Sequence, residues 1–235
     1  MTTTGGPVLV PAAYAVVVQH LRRAIHLGTY GPGEKLPPER EHAEQLGVSR
    51  VTLREALRVL EGEGYLEMRR GSAGGAIVTG PPSSEASRRE YLRDHLDDVL
   101  AIQQFRLAIE PLSAARAAER RTPEALEQLR QAVADLSDAD SLGRFRRADT
   151  SFHLTLADSA DCPPLRRAIE DARIEMFDQL DVVDFDIVLA NAIEGHGAIL
   201  ERVAAGDPDG ARRAMEAHVS ELRQEILQLV ASFDR

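Results

Sequence analysis

The chain has 235 residues, which is enough for one large domain or two of ordinary size. Hydrophobic residues make up 43% and charged residues 28% of the sequence, which excludes a wholly disordered chain. Aromatic residues reach only 4%, and this favours helices packed through Leu, Ile, Val and Ala over a β-sandwich or barrel. The single cysteine, Cys162, excludes an intrachain disulfide and a cysteine-based zinc cluster.

The apolar stretch 7–18 is a poor signal peptide, because no basic residue precedes it and Pro11 interrupts it. No other apolar stretch reaches the length of a membrane span. We therefore expect a cytoplasmic protein without a membrane partner.

The net charge of −10 is unevenly distributed along the chain. Residues 1–80 carry nine Lys and Arg against eight Asp and Glu, whereas residues 81–235 carry 19 against 30. A nearly neutral segment with locally concentrated arginines can still bind phosphates, because the local field matters more than the total charge. Nucleic acid thus remains a candidate partner for the first third of the chain.

The N-terminal elements indicate a winged helix-turn-helix. Helices are predicted at 13–27, from Pro38, and from an N-cap at Ser49 to about residue 63. Two short strands, 65–70 and 76–79, flank a glycine-rich segment. Three helices followed by a small hairpin are typical of this DNA-binding fold.

The rest of the chain reads as an all-α antiparallel helical bundle, so the fold class is mainly α. The linker is placed at 81–87, where two prolines interrupt regular structure. It separates a winged helix-turn-helix domain, 1–80, from a helical effector- and metal-binding, dimerising domain, 88–235. The helices of the bundle are predicted at 88–110, 111–121, 123–137, 141–159, 164–182, 186–205 and 208–232.

The third helix has the pattern of a DNA-recognition helix. Leucines at positions 53, 57 and 60 form an apolar stripe with Ala56, and Arg50, Arg54 and Arg58 fall on the opposite side. The stripe would fix the helix to its domain while the arginines enter the major groove, where Arg can contact guanine with two hydrogen bonds. Arginines on a helix are by themselves commonly just a solvated face.

The surrounding motifs strengthen the DNA-binding interpretation. The strings GPGEKLPPER at 31–40, LGVSR at 46–50, LREAL at 53–57 and RRG at 69–71 resemble the GntR family of bacterial transcription regulators. The resemblance covers nearly all of residues 13–80. Pro38 and His42 depart from the residues common in the family, and the wing is unusually rich in glycine. The contacts to phosphates or bases that the resemblance implies are Arg40, Ser49, Arg50, Thr52, Arg54, Arg70 and Gly71.

In the second half, four polar residues occupy the middle of apolar helix stripes. Asp149 and His153 lie four apart on one predicted helix, and His196 and His218 lie at the centres of two others. Each of these residues, taken alone, is commonly a core residue whose hydrogen bonds are made by its neighbours, although a buried carboxylate needs a partner. Together, three imidazoles and one carboxylate suit a divalent metal such as Zn, Ni, Co or Mn, and octahedral sites would keep open positions.

This pattern, preceded by Arg106 and Glu110, resembles the metal-containing branch of the FadR-type subgroup, whose second domain is the all-helical ligand-binding FCD domain. The resemblance implies that the open metal positions accept a carboxylate effector. Arg106 either pairs with Glu110 along the helix or forks onto the effector's carboxylate, and both alternatives stay open. Asp161 and Cys162 depart from the Gly and Asn usual in that branch.

We therefore expect a homodimeric transcription regulator, a repressor, that binds a palindromic operator under the control of a small carboxylate effector. The alternative is a metal-dependent hydrolase-like enzyme fused to a DNA-binding head, since open coordination could activate water. No candidate base or nucleophile belongs specifically to the site, so we expect no enzyme activity. A third alternative, a passive architectural DNA-binding protein, would not explain the four inward-facing residues that could bind a metal.

Overall fold

The computed structural model describes residues 12–71, 74–79, 85–180 and 185–233. Two compact units are present: one comprises Met1–Ile25 with Gly33–Thr79, and the other comprises His26–Pro32 with Gly80–Arg235. We call them the winged-helix domain and the helical domain. The predicted linker, 81–87, lies partly outside the described residues, and a helix begins within it at Glu85.

The winged-helix domain has the elements that the sequence predicts, with ends that differ by about one residue. Ser49 caps the third helix by accepting a hydrogen bond from the Thr52 amide at 3.0 Å. The two strands pair antiparallel, with Leu66 opposite Val78 and Arg69 opposite Gly75. The elements are α1 (Ala13–His26), α2 (Glu39–Gln45), α3 (Arg50–Gly62), β1 (Leu66–Arg69) and β2 (Gly75–Val78).

The described part of the helical domain is built from helices α4 to α10. The longest two, α5 and α10, pack against each other, and α5 also contacts α7, α8 and α9. None of the described helices is long and apolar enough to cross a membrane. The helices are α4 (Glu85–Asp94), α5 (Leu96–Arg120), α6 (Pro123–Ser137), α7 (Leu142–Ser159), α8 (Pro163–Leu180), α9 (Phe185–Ala205) and α10 (Pro208–Ser232).

The predicted helix boundary at Pro111 is wrong, because α5 continues through this proline to Arg120. Proline removes one backbone hydrogen bond and crowds the preceding turn, but Pro111 is buried in the packed face of the helix, and tertiary packing outweighs the local preference. The break lies instead at His95, between α4 and α5. The end of the predicted helix 164–182 falls outside the described residues.

The turn between α7 and α8 explains one departure from the family pattern. Asp161 has φ +52°, in the left-handed region that favours glycine and that Asp tolerates better than most residues. Its carboxylate also accepts a hydrogen bond from Arg120 at 2.7 Å. Asp161 thus occupies a left-handed turn position that a glycine could adopt without strain.

Two apolar clusters fill the helical domain, and a layer of polar residues separates them along the helices. On α5, Val99 belongs to one cluster and Ala114 to the other, with buried Arg106 and Glu110 between them. The same order recurs on α9, where His196 lies between Ala192 and Ile199 of the two clusters. A buried polar layer in a helical core must satisfy its own hydrogen bonds and charges.

Candidate functional site

Three histidines from three helices converge in the polar layer. His153 on α7, His196 on α9 and His218 on α10 are at most 4% exposed. One nitrogen from each ring lies within 4.8 Å of the others, an arrangement that could hold a metal ion. The Nε2 atoms of His153 and His196 are 3.1 Å apart.

Asp149 completes the predicted group of four. Its Oδ1 atom lies 3.3 Å from His196 Nε2 and 3.9 Å from His153 Nε2. Because Asp149 and His153 are one helical turn apart on α7, both side chains point to the same side of that helix. The structure therefore brings together all four residues that the sequence predicts as candidate metal ligands.

Two partners of these four residues were not assigned from the sequence. His153 Nδ1 lies 2.7 Å from Glu110 Oε2, so the imidazole can donate to this carboxylate and present Nε2 to the other histidines. Arg173 on α8 donates from Nη2 to Asp149 Oδ2 and is fully buried. Outer partners of this kind fix the orientation of ligating side chains.

A glycine provides the space for the third imidazole. A Cβ atom added at Gly195 would lie 2.8 Å from His218 Cγ and 3.0 Å from His218 Cβ, closer than normal contacts. Gly195 is therefore a site residue, although it has no side chain. Its role depends on the approach of α9 to α10, which the sequence pattern does not reveal.

The charges of the layer follow from burial and pairing. Burial lowers the pKa of His196 and His218 well below the usual range, and the neighbouring His153 lowers both further. Burial opposes the charge of Glu110, but Arg106 and His153 outweigh it and hold the pKa of Glu110 well below its usual range. Burial lowers the pKa of Arg173 to about 9. At neutral pH two neutral imidazoles thus lie beside a charged Glu110 and a charged Arg173.

In the structure Arg106 pairs with Glu110, which is the first of the two alternatives that the sequence left open. Its Nε donates to Glu110 Oε1 at 2.6 Å, its Nη2 lies 3.3 Å from Glu110 Oε2, and both side chains are buried. The Nη1 atom contacts Gln103 Oε1 at 3.2 Å and Met176 Sδ at 2.8 Å. The pair is therefore a buried support for His153, not a weak exposed contact, and the role of Arg106 in effector binding stays a prediction.

A small cavity adjoins the polar layer. It measures about 30 Å³, which is room for roughly two water molecules. Arg106, Asp149 and His218 contribute its polar lining. The other walls are mostly apolar, from Leu142, Phe145, Met176, Phe177, Val188, Ala192 and Leu222, with Asn191.

The predicted DNA-contact residues lie on exposed parts of the winged-helix domain. Arg50 and Arg54 are exposed on α3, opposite the buried leucine stripe. Thr52 is half-buried, and its hydroxyl lies 2.9 Å from that of Ser49. Arg40 on α2 is 75% exposed. Arg70 and Gly71 are exposed after β1.

One contact on this surface was missed. Glu39, at the start of α2, accepts hydrogen bonds from Arg54 Nε at 3.2 Å and Nη2 at 2.7 Å through a single oxygen. This contact holds the Arg54 guanidinium beside α2. The spacing of 15 residues between the partners carries no helical signal, so a single sequence does not reveal it.

Comparisons with known proteins agree with both domains. Residues 13–74 match the gntR family of bacterial regulatory proteins, and residues 101–221 match the FCD domain. The HTH-type transcriptional regulator Rv0494 of Mycobacterium tuberculosis is 34% identical over 226 residues, covering 89% of this chain and 86% of its own. The HTH-type transcriptional repressor NanR of Cronobacter sakazakii is 32% identical over 218 residues, covering 87% and 82%.

A solved structure supports the fold. E. coli McbR/YncC is 21% identical and has a TM-score of 0.53, with 96% of this chain and all of that chain covered. The relatives are transcription regulators, so the hydrolase-like alternative is wrong. The chain is a DNA-binding transcription regulator that belongs to the GntR family and carries an FCD domain as its second domain.

Proposed function

We propose that this regulator binds its operator under the control of a small carboxylate effector, held at a divalent metal site in the helical domain. The ligands of the metal are Asp149, His153, His196 and His218. The observation that carries this proposal is the convergence of these four buried side chains in one polar layer.

The donor set fits a metal ion of the Zn, Ni, Co or Mn type. Bonds of about 2.1 Å put adjacent ligand atoms roughly 3 to 3.5 Å apart. The separations of 3.1 Å between His153 and His196 and 3.3 Å between His196 and Asp149 have this size. Glu110 and Arg173 orient His153 and Asp149 from outside, as partners of metal ligands do.

The cavity suits a small organic acid next to such an ion. A carboxylate can occupy the positions that four protein ligands leave open on a six-coordinate metal. Arg106 lines the same cavity and adds positive charge, and the apolar walls accept the acid's carbon chain. Since the cavity holds only about 30 Å³, a bound acid must displace side chains or helices. An effector can shift the protein between two arrangements only through different affinities for them.

The winged-helix domain supplies the readout. In a homodimer, two copies of α3 would enter successive major grooves of a palindromic operator, and Arg50 and Arg54 would reach the bases. The relative NanR is named as a repressor, and this supports repression as the action of this chain. The cytoplasm, where bacterial DNA lies, is the expected location.

Elemental analysis tests the metal. Protein purified without an affinity tag or chelator should contain about one divalent ion per chain. The variants His153→Ala, His196→Ala and His218→Ala should each lose most of it, because each removes one ligand. His20→Ala, a histidine exposed on α1, is the matched control and should retain it. Wild-type protein free of metal would return these histidines to a packing role.

Thermal unfolding tests the effector. A library of small organic acids is screened against wild-type protein with and without chelator, since a ligand that binds the native state raises its melting temperature. Stabilisation by an acid that requires metal supports the proposal. Stabilisation that survives complete metal removal would contradict the proposed site, and consumption of the acid would contradict a sensing role.

A further inference from the structure

An exposed valine lies on the outer face of α3. Val51 is 67% exposed, more than any other large apolar side chain among the described residues. It follows Arg50 directly and precedes Arg54 by about one turn, away from the buried stripe that anchors the helix. A single exposed apolar residue is normal on a protein surface, so exposure alone assigns no role to Val51.

The neighbours of Val51 on the helix give its position a meaning. Arg54, Glu55 and Arg58 follow it at spacings of three, four and seven residues, and all three are exposed. This spacing places the four side chains on one side of α3. The other three are charged, so Val51 is the apolar member of the surface that the proposed readout directs to the base edges.

The major groove offers one suitable partner for an apolar side chain. Thymine alone presents a methyl group there, at C5, whereas the other groups that distinguish the bases are hydrogen-bond donors and acceptors. Contact of valine with a donor or an acceptor would remove water from that group without replacing its hydrogen bond. Contact with the thymine methyl group instead removes apolar surface from water on both molecules.

The start of α3 holds the Val51 side chain in a defined position. Ser49 accepts a hydrogen bond from the Thr52 amide at 3.0 Å, so Val51 lies in a capped first turn. Leu53 is fully buried and anchors that turn to the domain. A β-branched side chain has one strongly preferred rotamer in a helix. The two methyl groups of Val51 therefore need little ordering when they contact a base.

We propose that Val51 is a specificity residue that contacts the C5 methyl group of a thymine in each half of the operator. The proposal deepens the proposed function, on which it rests, because it assigns a base to a residue between Arg50 and Arg54. Residues three apart on a helix have Cβ atoms about 5–6 Å apart, and neighbouring base pairs are about 3.4 Å apart. The thymine should therefore lie within about three base pairs of the base that Arg54 contacts.

Replacement of thymine by uracil tests the contact, because it removes the methyl group and leaves the base-pairing edge unchanged. The full-length wild-type chain first selects a sequence from a pool of random DNA duplexes. Each thymine of the selected duplex is then replaced in turn, and binding is measured by fluorescence anisotropy. At one position of each half-site, uracil should weaken wild-type binding roughly fourfold, and roughly 15-fold when both half-sites carry it.

Variants at position 51 assign the effect to this side chain. Val51→Ala should bind thymine and uracil at that position equally, since it lacks the methyl groups that make the contact. Val51→Thr keeps one methyl group and should retain part of the preference for thymine. Val16→Ala is the matched control, since Val16 is a 57% exposed valine on α1, and it should discriminate as the wild type does. Circular dichroism checks that the variants are folded.

The outcomes separate this proposal from the proposed function. A wild-type protein that selects no sequence would overturn both the readout by α3 and the role of Val51. A selected sequence in which no thymine is sensitive to uracil would overturn the role of Val51 alone. The same holds for a sensitivity that Val51→Ala retains in full, since another residue or the shape of the DNA would then report the methyl group.

Discussion

Gly195 and Gly197 make a matched pair for testing the architecture of the proposed metal site. Both lie within α9, on either side of His196. A Cβ atom at Gly195 would lie less than 3.0 Å from the His218 ring, whereas a Cβ atom at Gly197 meets nothing within 4 Å. The rings of His153 and His196 flank His218, with ring centroids 5.5 Å and 4.9 Å from that of His218.

The magnitudes predict different effects for the two substitutions. Replacing a helical glycine by alanine stabilises a protein by about 0.4–1 kcal/mol where the space is free. Forcing an extra carbon into a packed interior costs about 1–3 kcal/mol. Gly197→Ala should therefore be slightly stabilising, and Gly195→Ala should be less stable than Gly197→Ala by about 1–3 kcal/mol. Because His218 is a proposed metal ligand, its displacement should also weaken metal binding by roughly 10–100-fold.

Two measurements test whether His218 packs against Gly195 and binds the metal. Urea unfolding of chelator-treated protein gives the free-energy difference between the two variants, and competition with a coloured chelator gives their metal affinities. Equal stability and equal metal affinity in both variants would refute the packing of His218 against Gly195. Equal metal affinity despite a lower stability of Gly195→Ala would place His218 in the core but outside the metal's coordination.

The winged-helix surface and the polar layer provide further expected outcomes. The wild-type protein first selects its preferred DNA from a pool of random duplexes. In a gel-shift titration, Arg54→Ala should then bind the selected DNA over unselected DNA with a free-energy preference that is about 1–3 kcal/mol smaller than that of the wild type. Glu39→Gln, which removes the charge that holds Arg54, should change the selected sequence, and an identical selected sequence would contradict this positioning role. Arg106→Lys keeps the positive charge but loses the guanidinium's ability to donate two parallel hydrogen bonds to a carboxylate. Calorimetry should therefore show at least tenfold weaker binding of an acid identified by the screen, while the metal is retained. The free energy of unfolding of metal-free protein should decrease by up to about 1.4 kcal/mol per pH unit for each of His196 and His218 as the pH falls below about 6.5. The cause is that the unfolded chain takes up protons that the buried imidazoles, whose pKa is lowered, do not bind. Urea unfolding at pH 7.5 and 5.5 measures this decrease.

Sequence patterns were reliable where a residue's environment is set by its own helix. The leucine stripe of α3 is local, so the outward position of Arg50 and Arg54 followed from periodicity alone. The inward positions of the four proposed metal ligands followed in the same way. The boundary at Pro111 failed because packing between helices outweighed a local preference.

The missed residues divide into two kinds. Arg173 could have been found, because it interrupts the buried stripe of Ile169, Ala172 and Met176 just as the histidines interrupt theirs. Gly195 could not, since its importance lies in the distance between α9 and α10. Partners that depend on the approach of two helices leave no periodic trace in a single sequence.

The charge balance of the polar layer predicts that metal and acid bind cooperatively. Arg106 pairs with Glu110 and Arg173 with Asp149, so these four charges cancel while the imidazoles of His196 and His218 are neutral. A divalent cation would add two positive charges to this buried layer, and a carboxylate ligand would offset part of them. The affinity of the acid should therefore rise at least tenfold when metal is present, and linkage requires the acid to raise metal affinity by the same factor. Calorimetry of each ligand in the presence and absence of the other measures both factors. Acid binding that is equally tight in metal-free and metal-loaded protein would show that the acid's charge is balanced by the arginines and not by the metal.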